Sequence, residues 1–178
     1  MIIKETSFSG LYVLETNNFQ DERGAFQKLF NYDFFAENSL DTTFKEFYYS
    51  VNHKDVCRGM HFQIPPYDHV KVVYVSFGRT LDVVVDIRKK SSTYGKCFSI
   101  ELDGQKGQYL YIPQGFAHGF LSLEDNTIVN YAQTSCYNKE YDCGIAQDSI
   151  NFDWGIENPI VSGRDLTFPA LKDFESPF

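Results

Sequence analysis

From Phe44 onward the chain is a succession of short β-forming runs, each closed by a turn residue, and no long amphipathic helix interrupts them. That spacing constrains the fold more than any other feature of the sequence. Phe44 to Val51 reads as one strand and Val70 to Phe77 as another, ending at Gly78. Thr80 to Ile87 follows, with Leu81, Val83, Val85 and Ile87 on one face and Asp82, Val84 and Asp86 on the other, the period of two expected of a half-buried strand. Lys96 to Leu102 runs into an Asp103-Gly104 turn, and Gln108 to Ile112 stops at Pro113, which cannot donate to a central ladder. Phe116 to Leu123 and Thr127 to Cys136 flank an Asp125-Asn126 turn. Asn31 to Asn38 predicts one short helix with Asn31 as its cap. Many short, evenly spaced strands predict an all-β sandwich or barrel, of which the jelly roll is the natural member. With 178 residues and neither a repeat nor an interdomain linker, the chain reads as a single domain over residues 1–178.

Charge narrows the function classes. A net charge of -8 argues against nucleic acid or an anionic membrane as partner, because both are repelled by most of such a surface. A small anionic ligand remains compatible if a few cations share one cleft. No apolar stretch approaches the ~18 residues of a membrane span, and the N-terminus lacks a signal-like apolar region, so the expected location is the cytoplasm. The cysteines at 57, 97, 136 and 143 form no Cys-x-x-Cys pair and read as reduced structural thiols.

The densest chemistry lies in Arg58-Gly59-Met60-His61-Phe62-Gln63, followed by Pro65-Pro66 and Lys71. On a regular strand Arg58 and His61 point to opposite faces, so both line one cavity only if a bulge or turn forms at Gly59. Taken alone, His61 is equally a structural histidine or a base. Lys71 opens an apolar strand, and lysine is rarely buried without a purpose; the alternative is an edge position facing solvent. A metal centre needs several donors at ~2 Å, and the His-x-His pair that often supplies two of them is missing, although His118 remains available to join His61. Asp21-x-Arg23-Gly24-x-Phe26 is compatible with a phosphate-holding loop, since a guanidinium matches phosphate oxygens in bidentate fashion; any surface turn can read the same way. Tyr131 and Tyr137, two of twelve tyrosines, are ambiguous by themselves, and Asp165 in Ser162-Gly163-Arg164-Asp165 reads first as a solvated turn residue.

In this order, these segments resemble the dTDP-4-dehydrorhamnose 3,5-epimerase family and its relatives on other nucleotide-linked 4-keto sugars. The match runs through Asp21-x-Arg23-Gly24-x-Phe26, the Arg58 to Gln63 motif with Pro65-Pro66 and Lys71, and Asp82-Val83-x-x-Asp86-x-Arg88. It continues through Ser92-Thr93-Tyr94-Gly95, Ile112-Pro113-x-Gly115-Phe116-Ala117-His118-Gly119-Phe120, Tyr131 with Thr134 and Tyr137, and Ser162-x-x-Asp165. The resemblance implies a cupin-type jelly-roll barrel with short flanking helices, no metal and no cofactor, and a homodimer in which the N-terminal segment contributes to the partner's site. It also implies roles: His61 as base, Asp165 fixing its tautomer, Lys71 neutralising an enolate oxygen, Tyr131 as the acid on the opposite face. Arg23 and Arg58 would hold a diphosphate, Phe26 and Tyr137 would line the nucleotide, and His118 is expected among the substrate-binding residues.

Four positions depart from the pattern of many relatives. Lys28 replaces a glutamate, Glu46 and Tyr48 replace a glutamine and an asparagine, and His69 replaces a glutamine. All four are expected in the ligand pocket, where they would alter nucleotide recognition, with GDP set beside dTDP as the candidate. Two other functions share the fold. A nucleotide-sugar 3,4-ketoisomerase would shuttle protons between neighbouring carbons with paired histidines, and a non-catalytic carbohydrate-binding jelly roll would give His61 and Asp165 no reason to meet.

Overall fold

A computed structural model describes residues 1–178. In chain order the elements are β1 (Ile2–Glu5), β2 (Tyr12–Glu15), β3 (Asn18–Asp21), β4 (Gly24–Gln27), α1 (Tyr32–Glu37), β5 (Glu46–Asn52), β6 (Cys57–Gln63) and β7 (Lys71–Phe77). β8 (Arg79–Asp86), β9 (Cys97–Asp103), β10 (Gln108–Ile112), β11 (Phe116–Ser122), β12 (Thr127–Gln133) and β13 (Asp142–Gly144) complete the series. The strands form a six-stranded sheet in the order β1-β2-β10-β7-β12-β5, a five-stranded sheet in the order β13-β6-β11-β8-β9, and a β3-β4 hairpin. Every pairing between named strands is antiparallel. This is the all-β jelly-roll class that the turn spacing predicts. Asn31 caps α1 as expected, its side chain accepting from the Phe34 amide.

Alternation within the strands sorts residues into three apolar layers. Between the sheets lie Leu11, Val13, Val73, Val75, Val84, Leu110, Phe116, Phe120 and Val129. The outer face of the five-stranded sheet, carrying Val83, Val85, Ala117 and Met60, is covered by the tail through Ile145, Ile150 and Trp154. On the outer face of the six-stranded sheet, Phe35 of α1 and Leu40 pack over Val72, Tyr109 and Tyr111. Val84 and Asp82, expected on the polar face of their strand, are buried as completely as Val83 and Val85, because β8 is central in its sheet and covered on both sides.

The inner face of the six-stranded sheet has a regular grid. Lys71, Gln133 and Glu46 lie in one row across β7, β12 and β5; Val73, Tyr131 and Tyr48 form the next, and Val75, Val129 and Ser50 the third. The corner with Val73, Val75 and Val129 is apolar, whereas the Lys71–Gln133–Glu46 row and the β5 side are polar, so the interlayer space closes into core on one side and opens into a cavity on the other.

In the opposite sheet, β6 is irregular. His61 pairs with His118 and Arg58 with Phe120, so three steps on β6 oppose two on β11. This is a bulge, and it places Arg58 and His61 on the same face, as lining one cavity requires. Gly59 sits in it at φ 126°. A Cβ there would lie 2.5 Å from Gly119 Cα and 2.8 Å from the His118 carbonyl oxygen, both backbone atoms that cannot move aside independently. Gly59→Ala is therefore expected to destabilise the fold by about 2 kcal/mol or more, which lowers Tm by roughly 4–8 °C in a chain of this size. A thermal melt that matches the unsubstituted protein would mean that the bulge is not under this constraint.

Candidate active site

A cavity of about 420 Å³ opens between the sheets. Its walls include Glu46, Tyr48, Arg58, His61, His69, Lys71, His118, Tyr131 and Tyr137 from the sequence-derived set. Ser50, Gln63, Gln133, Asp142 and Arg164 line it too and were not singled out from sequence. Ser50 and Gln133 belong to strand rows whose inward direction could have been read by counting in twos from Tyr48 and Tyr131. Asp142 and Arg164 carry no such signal, because they sit on a three-residue strand and in a tail without periodicity.

The tail returns over the barrel as the resemblance requires. The 3-10 turn Asp165–Thr167 brings Asp165, buried at 3% exposure, to 2.9 Å from His61 Nε2 through its Oδ1. Its Oδ2 accepts from the Gly59 amide at 3.1 Å. Burial pushes the Asp165 carboxyl upward, but the hydrogen bond and charge of His61 and the Gly59 amide outweigh it and hold the group below its usual value. With Nε2–H donating to this carboxylate, the His61 lone pair lies on Nδ1. Phe168 packs edge-on against the imidazole, ring centroids 5.6 Å apart, and restrains its rotation.

A second histidine–carboxylate pair lies deeper. His118 Nε2 donates to Asp82 Oδ1 at 2.8 Å, with side-chain exposures of 4% and 0%. Burial pushes the imidazole down despite the carboxylate, so His118 is a neutral ring at physiological pH. His69 is neutral as well, driven down to about 3 first by burial and then by Lys71.

Lys71 is buried and makes no ion pair with a protein carboxylate. Burial lowers its pKa to about 8, while Asp82 and Asp142 act at longer range to keep it charged. An ammonium without a partner, facing a cavity, suits an oxygen that becomes negative during a reaction. Tyr131, on β12 next to the Lys71 strand and across the cavity from His61, is pushed up by burial and keeps its proton. Its ring stacks on Tyr48 at 4.6 Å and 16°, and the Tyr48 hydroxyl accepts from Gln133 Nε2. Arg58 donates through Nε to Asn52 Oδ1 at 2.7 Å, which leaves both terminal amino groups for a ligand. Imidazole, ammonium and phenol thus converge on one space from three strands.

Arg23, Phe26 and Lys28 do not join them. Arg23 lies in the β3-β4 hairpin, its side chain 86% exposed and paired with Asp21. Phe26 and Lys28 line a separate groove with Met1, Phe19 and Phe34. The physical reason is the hairpin's anchorage: Gln27 and Asn18 donate to the carbonyls of Gly104 and Gln105, and Gly104 packs on Ser76 and Phe77. That is the end of β7 opposite Lys71, six residues and roughly 20 Å along the strand. Within the chain, the two guanidiniums that line the cavity are those of Arg58 and Arg164.

Residues 5–173 match the family model for dTDP-4-dehydrorhamnose 3,5-epimerase. An enzyme of that name from Methanothermobacter thermautotrophicus is 40% identical over 174 residues, 95% of this chain and 94% of the relative. The crystal structure of the epimerase from Legionella pneumophila in complex with dTDP-4-keto-L-rhamnose superposes with a TM-score of 0.92 at 30% identity, covering 98% of this chain and 94% of that one. A 3'-monoepimerase from Streptomyces bikiniensis in complex with dTDP-quinovose superposes at 0.88 with 26% identity, over 94% and 86% of the two chains. Sequence, fold and cavity agree, and the chain belongs to the dTDP-4-dehydrorhamnose 3,5-epimerase family of isomerases acting on nucleotide-linked 4-keto sugars.

Proposed function

We propose that the cavity inverts C3 of a nucleoside-diphosphate-4-keto-6-deoxy sugar, with C5, the other carbon flanking the ketone, open to the same chemistry. The observation that carries this reading is the 2.9 Å pairing of His61 with Asp165, facing an unpaired lysine and a protonated tyrosine. The C4 ketone acidifies the neighbouring C–H bonds. His61 Nδ1 takes the C3 proton, and the electron pair moves into an enolate whose oxygen meets the Lys71 ammonium. Tyr131 then delivers a proton to the opposite face of C3 and the ketone re-forms inverted. Solvent restores the proton to Tyr131 and removes the one on His61, so no net redox change occurs. Asp165 stabilises the imidazolium once it forms. General acid–base help of this kind supplies about 10²–10⁴-fold, and the preorganised cation adds to it.

Nucleotide preference is proposed as dTDP, supported by the ligands named for related structures. GDP and a heptose remain the alternatives to assay, because Glu46, Tyr48 and His69 replace other side chains in the cavity wall. Lys28 lies outside this cavity within one chain, so it bears on nucleotide recognition only through the cavity of a partner. A homodimer is proposed as well: β5 is an edge strand whose outward Phe47, Tyr49 and Val51 are 70%, 67% and 53% exposed, an apolar face of the kind covered by association. The hairpin carrying Arg23, Phe26 and Lys28 would then be free to serve the partner's cavity.

Incubation with dTDP- and GDP-linked 4-keto sugars in D₂O, followed by NMR, is the direct test. Deuterium should enter at C3 with inversion; exchange confined to a shifting carbonyl would indicate a ketoisomerase, and none would indicate a binder. His61→Asn is expected to abolish exchange, and Asp165→Asn to slow it by about 10²-fold or more with nucleotide affinity little changed. Tyr131→Phe should still exchange at C3 while inversion fails.

The pH profile tests Lys71. Its charge is lost as pH rises through about 8, so kcat/KM should fall above that value, while Tyr131 stays protonated. In stability the sign is opposite, because a lysine whose folded pKa lies below its unfolded one disfavours folding while charged. Stability should therefore rise with pH between about 8 and the ordinary 10.5. Activity undiminished to pH 10 would remove Lys71 from the proposed role. Light scattering at micromolar concentration should return about twice 20.6 kDa; a monomeric mass would count against the dimer.

A further inference from the structure

Tyr131 is fixed by its neighbours, and one of them has no part in the proton transfers described so far. Its ring stacks face to face on Tyr48 and meets the His118 ring edge-on at 6.2 Å, which restrains where the phenol oxygen can lie. Antiparallel pairing sets Tyr131 opposite Tyr48 and Val129 opposite Ser50. Ser50 is therefore the diagonal neighbour of Tyr131 on the inner face, within reach of an aromatic side chain. The Ser50 hydroxyl hydrogen-bonds with the Tyr131 phenol, and both residues line the cavity. Behind Ser50 runs a chain whose directions are set by its chemistry. A guanidinium only donates, so the Asn52 atom that meets Arg58 Nε at 2.7 Å is the carbonyl Oδ1. Asn52, buried at 2% exposure, then shares its two Nδ2 protons among Ser50 Oγ at 3.1 Å, the Ser50 carbonyl at 3.2 Å and the Thr127 carbonyl at 3.0 Å. Ser50 Oγ thus accepts from Asn52 and has its own proton free to point at Tyr131, which in turn keeps its proton for the cavity.

We propose that Ser50 is a positioning residue for the acid: its hydroxyl, oriented by the Arg58–Asn52 chain, turns the Tyr131 proton toward C3 and then donates to the phenolate left behind. The inference rests on the reading of Tyr131 as the acid of the epimerisation. When Tyr131 protonates C3, its O–H bond breaks, the enolate electron pair forms the new C–H bond, and a negative oxygen is left in a buried place. Burial is the first influence that keeps this phenol protonated, and Tyr48 and Asp82 act in the same direction; Ser50 and Arg58 are the groups that oppose them. A hydroxyl donating to a developing oxyanion makes a charge-assisted hydrogen bond, stronger in the transition state than before it. Arg58 reinforces that bond through Asn52, because each donor in a chain polarises the next. Ser50 therefore acts on the delivery of the proton and leaves its abstraction by His61 alone.

That separation gives a readout that a merely structural serine would not move. The unsubstituted protein, Ser50→Ala and Tyr131→Phe, each shown to be folded by its thermal melt, would be compared in D₂O with whichever dTDP- or GDP-linked 4-keto sugar the unsubstituted protein exchanges. NMR would record inversion at C3 separately from deuterium entry with retention. Ser50→Ala is expected to slow inversion roughly ten- to hundred-fold, the loss of a hydrogen bond to a charged oxygen, with KM and deuterium entry with retention little changed. Ser50→Thr keeps the hydroxyl and should recover most of the inversion rate, whereas the isosteric Ser50→Val should not. Both are β-branched side chains that a strand accepts, so this pair decides the matter if Ser50→Ala does not fold. Inversion at the unsubstituted rate in Ser50→Ala overturns the inference, and so does a loss of inversion matched by an equal loss of exchange. Threonine and valine variants that behave alike overturn it as well. Inversion that survives in Tyr131→Phe would instead bring down the reading of Tyr131 as the acid, and absence of exchange by the unsubstituted protein with every sugar would bring down the nucleotide-sugar reading; the role of Ser50 falls with either.

Discussion

One carboxylate ties the cavity-facing side of β6 to the tail. Asp165 reaches from the tail to accept two hydrogen bonds, one from the Gly59 amide and one from His61. The first satisfies a backbone donor that the bulge in β6 removes from the ladder, and a buried amide left unpaired costs about 1–3 kcal/mol. The second sets the tautomer of the imidazole. The bulge permits Arg58 and His61 to face the same way, the tail stabilises the bulge, and the tail's position depends on its apolar packing over the five-stranded sheet. Removing any one of these leaves the other two without a reason to hold their geometry.

The cavity is also where the fold tolerates the most unfavourable electrostatics. Lys71 is charged without an ion-pair partner, and Asp82 Oδ2 is buried with no hydrogen-bond partner. Interiors normally exclude such groups, because desolvation costs several kcal/mol per ion. Here the opposing charges act at a distance, so that the ammonium stays available to an incoming oxygen. The His118–Asp82 pair lies between the apolar core and the site, with a ring 6.2 Å from that of Tyr131. It supplies polar packing without adding a cation next to Lys71, since burial keeps His118 neutral. Elsewhere the barrel is conventional: the Val73, Val75, Val129 and Phe120 layer closes the far side of the interlayer space and confines polar chemistry to one corner.

Much of the strand framework was legible because it is written in period two. β7, β8, β9, β10, β11 and β12 lie within one to three residues of their sequence-derived ends, and the Asn31 cap marks α1. β1 to β4 and β13 were not legible. All are three or four residues long; β1, β3, β4 and β13 sit at edges or in a hairpin, where an exposed face erases the alternation, and β2, paired on both sides with Val13 and Leu14 buried, shows no alternation to announce it. The motif Arg58 to Gln63 suggested both the site and the need for a bulge at Gly59, since an odd separation of two inward residues has few other solutions.

By itself the sequence determined the all-β class, the location of the main strands, the motif that carries Arg58 and His61, and the family resemblance that the comparisons bear out. Those follow from local chemistry: side-chain alternation, turn residues and the spacing of polar groups along a few contiguous segments. Tertiary structure decided which distant residues meet. It joined His61 to Asp165 across 104 positions, brought Arg164 and Asp142 into the cavity wall, and carried Arg23, Phe26 and Lys28 to the other end of the sheet. No local signal encodes such encounters, because they are set by how two sheets, a tail and a hairpin share one interior, and that is a property of packing rather than of any segment.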